Sequence, residues 1–240
     1  FKVTPNGSEK INGGAGSIIL STEGEGVTLV YIDSTVGWRS IQDNVFADPG
    51  SNFIIATGGT ETTVCTNFKV HTFTSPGTFS IASAGAPANA KVDYLVVAGG
   101  GGGGANDGGG GGGAGGYRES GGTASGCYTV SPLGSSPSAV AALPVSAGSI
   151  PVTVGAGGTP VICSGNGPGG SGSNSIFSTI TSTGGGGGAQ FNTPVPTGGG
   201  PKSGGSGGGG GGRQGNTGTC GAAGNTPPVS PPQGTSGGNA

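Results

Sequence analysis

Unbroken runs of glycine constrain this chain more than any other feature of its sequence. They lie at residues 99–104, 108–113, 184–188 and 207–212, and glycine makes up 62 of the 240 residues. Glycine loses more backbone freedom on folding than any other residue, so a run either stays disordered or lies where no side chain fits. The run at 99–104 directly follows an apolar, strand-like stretch at 92–98, which favours the second alternative. The sequence therefore indicates an extracellular structural or adhesive protein rather than an enzyme.

A glycine run can fold as a polyproline-II-like helix, with three residues per turn and no internal hydrogen bonds; six residues would span roughly 19 Å. Helices without side chains can approach closely and exchange N–H···O=C and weak Cα–H···O bonds. Each N–H bond contributes only about 0.5–1.5 kcal/mol net, but a lattice of many can offset the entropy that the glycines lose. We therefore predict packed polyproline-II-like helices, in which an added Cβ at Gly101 would clash with a neighbouring backbone.

The segments outside the glycine runs predict β-strands and no helix. Residues 1–48 contain short β-rich stretches separated by glycine-containing turns, and so small a module would be stable mainly by packing against copies of itself. Residues 49–195 combine the glycine runs with alternating β-branched and aromatic stretches that suggest a sandwich-like sheet. Residues 196–240 are rich in Pro, Gly and Ser. They predict a tail or tip segment, and disorder is most credible there.

Composition argues against several classes of protein. Only 8% of the residues are charged and the formal net charge is −2, so no basic surface is expected for nucleic acid. There is no run of 18 apolar residues to span a membrane, and no signal peptide is visible. Matches to GxGxxG occur only inside glycine runs without a following helix, which gives them no meaning for dinucleotide binding. The sequence has no methionine, so we expect that Phe1 is not a native start.

The residues that could carry chemistry are few and scattered. Cys65, Cys127, Cys163 and Cys220 lack the CxxC spacing of zinc sites, and we interpret them as small thiols, with disulfides as the open alternative. His71 is the only histidine, and we interpret it as an ordinary strand residue. No pair of carboxylates has a context suited to acid–base catalysis. We therefore predict no catalytic residue, no metal site and no cofactor.

Large side chains isolated among glycines are the candidates for recognition. Tyr117, Arg118, Phe191 and Arg213 are of this kind, and Tyr and Arg are common contact residues in interfaces. An aromatic face and a guanidinium group suit sugar stacking and carboxylate or phosphate groups. The alternative is that they cap the ends of the glycine helices, in which case their loss would lower stability first. Trp38 is interpreted as a packing residue.

Several long motifs resemble the glycine-rich domain found in tail fibres of tailed phages, including cyanophages. The resemblance covers about two-thirds of the chain. Its motifs are ATGG at residues 56–59, YLVVAGGGGGG at 94–104, GGAGGYRES at 112–120, IPVTVGAGG at 150–158 and GSNSIFSTITSTGGGGGA at 172–189. Residues 6–41 resemble a different phage-fibre module, a small β domain that commonly precedes the tip. Family members often close with a β-strand after the last glycine block, whereas this sequence stops at Gly237-Gly238-Asn239-Ala240, so that strand would lie beyond it.

The resemblance implies a parallel homotrimer in the virion tail, joined to upstream tail proteins, that binds a bacterial surface glycan or outer-membrane protein. The expected fold is all-β with glycine-rich polyproline-II-like segments. In it, a small trimeric β module precedes a β-sandwich-like glycine-rich domain. The expected function is host attachment, with Tyr117, Arg118, Phe191 and Arg213 as receptor-binding residues. A secreted glycine-rich filament or matrix protein explains the composition as well, and a glycan-degrading tailspike is a third, weaker alternative.

Overall fold

The computed structural model shows an all-β protein whose glycine-rich segments form a separate type of layer. It describes residues 2–11, 13–19, 27–40, 53–64, 68–85, 87, 89–122, 140–162, 166–192, 199–215 and 217–240. The described residues contain no helix, and hence no helix long and apolar enough to cross a membrane.

The strands are short, and most of them pair locally. Their bounds are β1 Lys2–Val3, β2 Ile18–Ile19, β3 Leu29–Asp33, β4 Gly37–Ser40, β5 Ile55–Thr57, β6 Thr60–Val64, β7 Phe68–Thr72, β8 Gly77–Ser83, β9 Lys91–Val92, β10 Leu95–Val97, β11 Tyr117–Glu119, β12 Leu143–Pro144, β13 Gly148–Thr153, β14 Ser175–Phe177 and β15 Ile180–Ser182. A five-stranded antiparallel sheet has the order β15-β14-β13-β8-β5. The pairs β1–β2, β3–β4, β6–β7, β9–β12 and β10–β11 form two-stranded sheets.

The chain divides into two compact units. One comprises Phe1–Phe53 with Gly85–Asn89, and the other Ile54–Ala84 with Ala90–Ala240. The described part of residues 196–240 therefore belongs to the second unit. Its backbone is bonded into the glycine-rich layer, for example from the Gly186 N–H to the Ser206 carbonyl and from the Ala189 N–H to the Gly209 carbonyl, which differs from the disorder expected from composition.

The first unit has a small core of its own. Ile11 and Ile18 are buried, and Val3, Val27, Leu29 and Trp38 pack against them. Much apolar surface nevertheless stays outside this core. Ile19 is 65% exposed, Tyr31 49% and Ile32 53%.

The second unit has its apolar core on one face of the five-stranded sheet. Ala56, Phe79 and Ile81 are buried there, and partly buried residues such as Phe73, Val152 and Phe177 complete the cluster. His71 packs its ring edge-on against Phe79, with the ring centroids 5.0 Å apart. The interpretation of His71 as a strand residue is therefore confirmed, since it lies in β7.

The glycine-rich layer, here called the glycine bundle, is held by main-chain hydrogen bonds between segments. It consists of residues 98–105, 108–116, 155–161, 167–173, 183–190, 199–212, 217–225 and 233–240. The N–H groups of Gly99, Gly102 and Ala105 donate to the carbonyl oxygens of residues 173, 170 and 167, at 3.1, 2.8 and 3.2 Å. Bonding at every third residue is the periodicity of a polyproline-II helix.

The number of neighbours distinguishes the glycine bundle from a β-sheet. The segment 98–105 exchanges hydrogen bonds with segments 108–116, 155–161, 167–173 and 183–190. A strand in a sheet has neighbours on two sides only, because its N–H and C=O groups point in two directions. A helix with three residues per turn points them in three directions, so one segment can be surrounded. The predicted packing of polyproline-II-like helices is thus confirmed.

Close packing makes glycine obligatory at some positions of the bundle and optional at others. A Cβ built on Gly101 would lie below 3.0 Å from the carbonyl oxygen of Gly186, a separation that real Cβ atoms essentially never show. A Cβ on Gly111 would meet nothing within 4 Å. Both residues are glycines of the bundle, but only Gly101 is crowded by a neighbouring backbone.

We expect Gly101→Ala to lower the melting temperature strongly and Gly111→Ala to leave it nearly unchanged. The first substitution forces backbone apart, and overpacking costs about 1–3 kcal/mol or more. The second reduces only the freedom of the unfolded chain, which stabilises by roughly 0.4–1 kcal/mol at a compatible site. Thermal melts of both variants followed by circular dichroism provide the check. Equal melting temperatures would contradict the packed bundle.

Candidate functional site

The hydrogen-bond register gives the glycine bundle two distinct ends. At one end, Ala98 donates to Gly116, Gly116 to Thr183, and Tyr117 to Gln233. Strands β10, β11 and β15 include or directly adjoin Ala98, Gly116, Tyr117 and Thr183 in the chain, and we call this the sheet end. At the other end Phe191 donates to Ala105, and Asn192 to Gly212.

The second end carries turns instead of strands, and we call it the loop end. Its described residues are 105–109, 162, 166–167, 190–192, 212–215 and 217–219. Asn106 and Asn192 adopt φ values of 68° and 58°, the left-handed region that Asn tolerates better than most residues. None of these described residues lies in a β-strand.

Phe191 closes the loop end by lying on glycine backbone. A Cβ built on Gly108 would clash with the Phe191 ring, and one built on Gly212 would lie 3.5 Å from it. Phe191 is half-buried, and its main-chain N–H donates to the Ala105 carbonyl at 3.1 Å. A glycine surface has no side chains, so a flat aromatic ring can lie directly against the peptide groups.

The loop end also carries polar side chains. Asp107, Arg213 and Gln214 are exposed. Gln190 is used structurally, since its Oε1 accepts from the Gly167 N–H at 2.8 Å and its Nε2 donates to Asn166 at 3.4 Å. The loop end can therefore offer a cation, a carboxylate and amides to a partner, while the bundle behind it stays fixed.

Tyr117 and Arg118 lie at the sheet end, in strand β11. They pair with Val97 and Val96 of β10, and both are half-buried. Arg118 Nη1 lies 3.5 Å from the Thr181 carbonyl oxygen. The Tyr117 hydroxyl donates to Glu119 Oε2 at 2.7 Å, and this hydrogen bond raises the pKa of Tyr117 above its ordinary value.

The structure thus brings Phe191 and Arg213 to one end of the bundle and Tyr117 and Arg118 to the other. Strand pairing and side-chain hydrogen bonds give Tyr117 and Arg118 a packing role, which favours the capping alternative for these two residues. Arg213 has the exposure that a contact residue needs. The four side chains do not form one surface patch.

Gln233 is a structural residue that the sequence did not indicate. It is 2% exposed, and all of its polar groups are used. Its Oε1 accepts from the Thr183 N–H at 2.8 Å, its Nε2 donates to the Pro227 carbonyl at 3.1 Å, and its main-chain oxygen accepts from Tyr117. One residue therefore joins Thr183 and Pro227 through its side chain and Tyr117 through its main chain. No motif around residue 233 distinguishes it from the other polar residues of the Pro-rich region.

Among the described residues no group of three or more His, Cys, Asp or Glu is placed to hold a metal ion. Cys220 is a free, exposed thiol, while Cys65, Cys127 and Cys163 lie outside the described residues. Glu61 pairs with Lys69 at 3.1 Å, and the hydrogen bond from Lys69 lowers the pKa of Glu61 below its usual range. This ion pair links β6 to β7 across the hairpin.

Comparison with known proteins gives one match. The family described as a glycine-rich domain matches residues 74–240, which include the glycine bundle from end to end. No curated protein and no solved structure matches the chain.

We expect Gln233→Leu to lower the free energy of unfolding by about 1–3 kcal/mol, because it removes two hydrogen bonds of the buried Gln233 side chain, to the half-buried Thr183 N–H and to the Pro227 carbonyl, and each contributes about 0.5–1.5 kcal/mol net. Gln214→Leu is the matched control, since Gln214 is exposed at the loop end. It should change stability by less than about 0.5 kcal/mol. Urea unfolding of both variants measures the difference, and an equal midpoint would show that Gln233 does not hold the sheet end together.

Proposed function

We propose that this chain, which belongs to the glycine-rich domain family, is the distal part of a tail fibre of a tailed phage and mediates attachment to a bacterial cell surface. The observation that carries the proposal is the main-chain bundle that ends in exposed polar turns. Such a bundle can hold recognition loops in place through main-chain hydrogen bonds alone. The motif resemblance at residues 94–104 and 172–189 supports the same role.

The loop end is the part of the second unit best suited to contact a receptor. The interior of the bundle is made of peptide groups and has no chemical identity that could distinguish one cell surface from another. Distinction must come from side chains such as Arg213, Asp107 and Gln214, which project from turns. Arg forms bidentate bonds with carboxylate and phosphate groups, both of which occur on bacterial surfaces.

Association of three copies is the second element of the proposal. Among the described residues of the first unit, only Ile11 and Ile18 form the buried core, whereas Tyr31 and Ile32 stay about half exposed on strand β3. Burial of such side chains against other copies would supply stability that so small a module lacks by itself. The exposed residues support self-association, and the number three comes from the fibre resemblance.

The proposed action is passive binding, and no reaction is assigned to the chain. The upstream partners would be other tail proteins, and the localisation would be the virion tail. A secreted glycine-rich filament remains the rival. Detection of the chain in purified virions would favour the fibre, and its detection in an extracellular matrix of cells would favour the filament.

We expect Arg213→Ala to reduce binding of the fluorescently labelled chain to susceptible bacteria at least about fivefold, since Arg is often a dominant contact residue. Its melting temperature should not change, because Arg213 is exposed. Flow cytometry against a panel of bacterial strains measures the binding. Lys202→Ala is the control, because Lys202 is an exposed cation of the bundle outside its loop end.

Binding that persists in Arg213→Ala would exclude that residue from the receptor site. Tyr117→Ala and Arg118→Ala provide a further comparison. A capping role predicts that their melting temperatures fall before binding is lost, whereas a receptor-binding role predicts the reverse.

We expect sedimentation equilibrium at micromolar concentration to give three times the chain mass of 22.2 kDa. The combined substitution of Tyr31 and Ile32 by Ser should shift the population towards monomer, because it removes apolar surface that copies would bury. Ile162→Ser is the control, since Ile162 is 72% exposed in the second unit. A folded wild-type monomer would contradict the trimer.

A further inference from the structure

A pocket lies at the turn between β7 and β8, in the second unit. Its volume is about 280 Å³. It shares no residue with the loop end, and it is lined by Gly59, Thr60, Thr72, Phe73, Thr74, Ser75, Pro76, Gly77 and Thr78.

Backbone packing fixes the shape of this pocket. Gly58 and Gly59 have φ values of 118° and 66°, which L side chains rarely adopt. A Cβ on either residue would also lie below 3.0 Å from the carbonyl oxygen of Thr78 or Thr72. The Phe73 ring lies against Gly58, Gly59 and Gly77, each of whose built Cβ positions is within about 3.3 Å of a ring atom. The pocket is therefore formed before any ligand arrives, which lowers the cost of binding.

The lining is rich in hydroxyl groups and carries no charge. Thr60, Thr72, Thr74, Ser75 and Thr78 belong to the lining, and each carries a hydroxyl that can donate one hydrogen bond and accept others. Thr60 and Thr72 lie directly opposite each other in the β6–β7 register, so their side chains share one face of the hairpin.

The apolar part of the lining comes from Phe73 and Pro76. The nearest charges along the hairpin, Glu61 and Lys69, are paired with each other at 3.1 Å. An anion or cation in the pocket would lose hydration without meeting an opposite charge, which is unfavourable.

We propose that this pocket binds a single neutral sugar ring. A pyranose presents hydroxyls around its rim and an apolar C–H surface, which match the Thr and Ser hydroxyls and the Phe73 ring. The volume of about 280 Å³ lies just below the usual range of ligand sites, about 300–1,000 Å³, and so it suits one ring rather than an oligosaccharide. An uncharged, open site of this size is expected to bind with a dissociation constant in the millimolar range.

Saturation-transfer difference NMR on the purified chain tests the proposal. The probes are glucose, galactose, mannose and N-acetylglucosamine, with glucuronic acid and glucosamine as charged comparisons. We expect transfer to at least one neutral sugar and none to the charged ones. The measurement needs no phage and no host cell, so its outcome is separate from that of the proposed attachment role.

Combined Thr60→Val and Thr72→Val substitution assigns the binding to the pocket, since valine keeps the branched shape and removes the hydroxyl. We expect affinity to fall at least about tenfold while the melting temperature is retained. Thr63→Val is the matched control, because Thr63 is an exposed residue of β6 outside the lining, and it should bind like the wild type. Absence of transfer from every neutral sugar, equal affinity in the double variant, or preference for a charged sugar would each overturn the proposal.

Discussion

The second unit depends on hydrogen bonds between main-chain segments that pack together from several directions without side chains between them. Segment 98–105 bonds to four neighbouring segments through its main chain, and this is possible only where the neighbours meet no Cβ. Gly101, for example, faces the carbonyl of Gly186 with no room for a methyl group. Each bond contributes little net free energy. The bundle is therefore stabilised by the number and mutual consistency of its bonds rather than by an apolar interior.

The sheet end and the loop end solve the problem of terminating such a bundle in different ways. At the sheet end the buried side chain of Gln233 pairs with groups that the helices leave free, and β10–β11 continues the segments as strands. At the loop end Phe191 lies on the backbone of Gly108. At the sheet end, which adjoins strands, a buried polar side chain can satisfy main-chain groups. At the loop end, which faces water on its outer side, an aromatic ring can shield the glycine backbone.

The sequence predicts the kinds of structure better than their pairing. The alternating β-branched and aromatic stretches of residues 49–195 predict strands such as β8, and the glycine runs predict polyproline-II-like packing. Strand β6 is not predicted, because its sequence, TETTV, has the polar composition of a loop. The strand forms because it pairs with β7. The register of the bundle is not predicted either, because identical glycines give no preference for one alignment over another. Flanking strands and turns must fix it, as β10 and β11 do for residues 98 and 116.

Among the candidate contact residues, side-chain type identified Tyr117, Arg118, Phe191 and Arg213 as unusual but could not assign them to an end. Their positions depend on pairings between distant segments, such as β11 with β10 and residue 191 with residue 105. The role of Gln233 could not be predicted, because it depends on hydrogen bonds to Thr183, which is distant in sequence, and to Pro227, which no motif distinguishes.

The crowding around positions such as Gly101 also has a consequence for how this protein can change by mutation. No amino acid is smaller than glycine, so every missense change at a crowded position adds atoms where none fit. Exposed turn residues such as Arg213 and Gln214 carry no such restriction. Within the glycine bundle, heritable variation that keeps the fold is thereby directed away from the crowded glycines and towards the exposed turns of the loop end, so the residues that can diversify are separate from those that cannot.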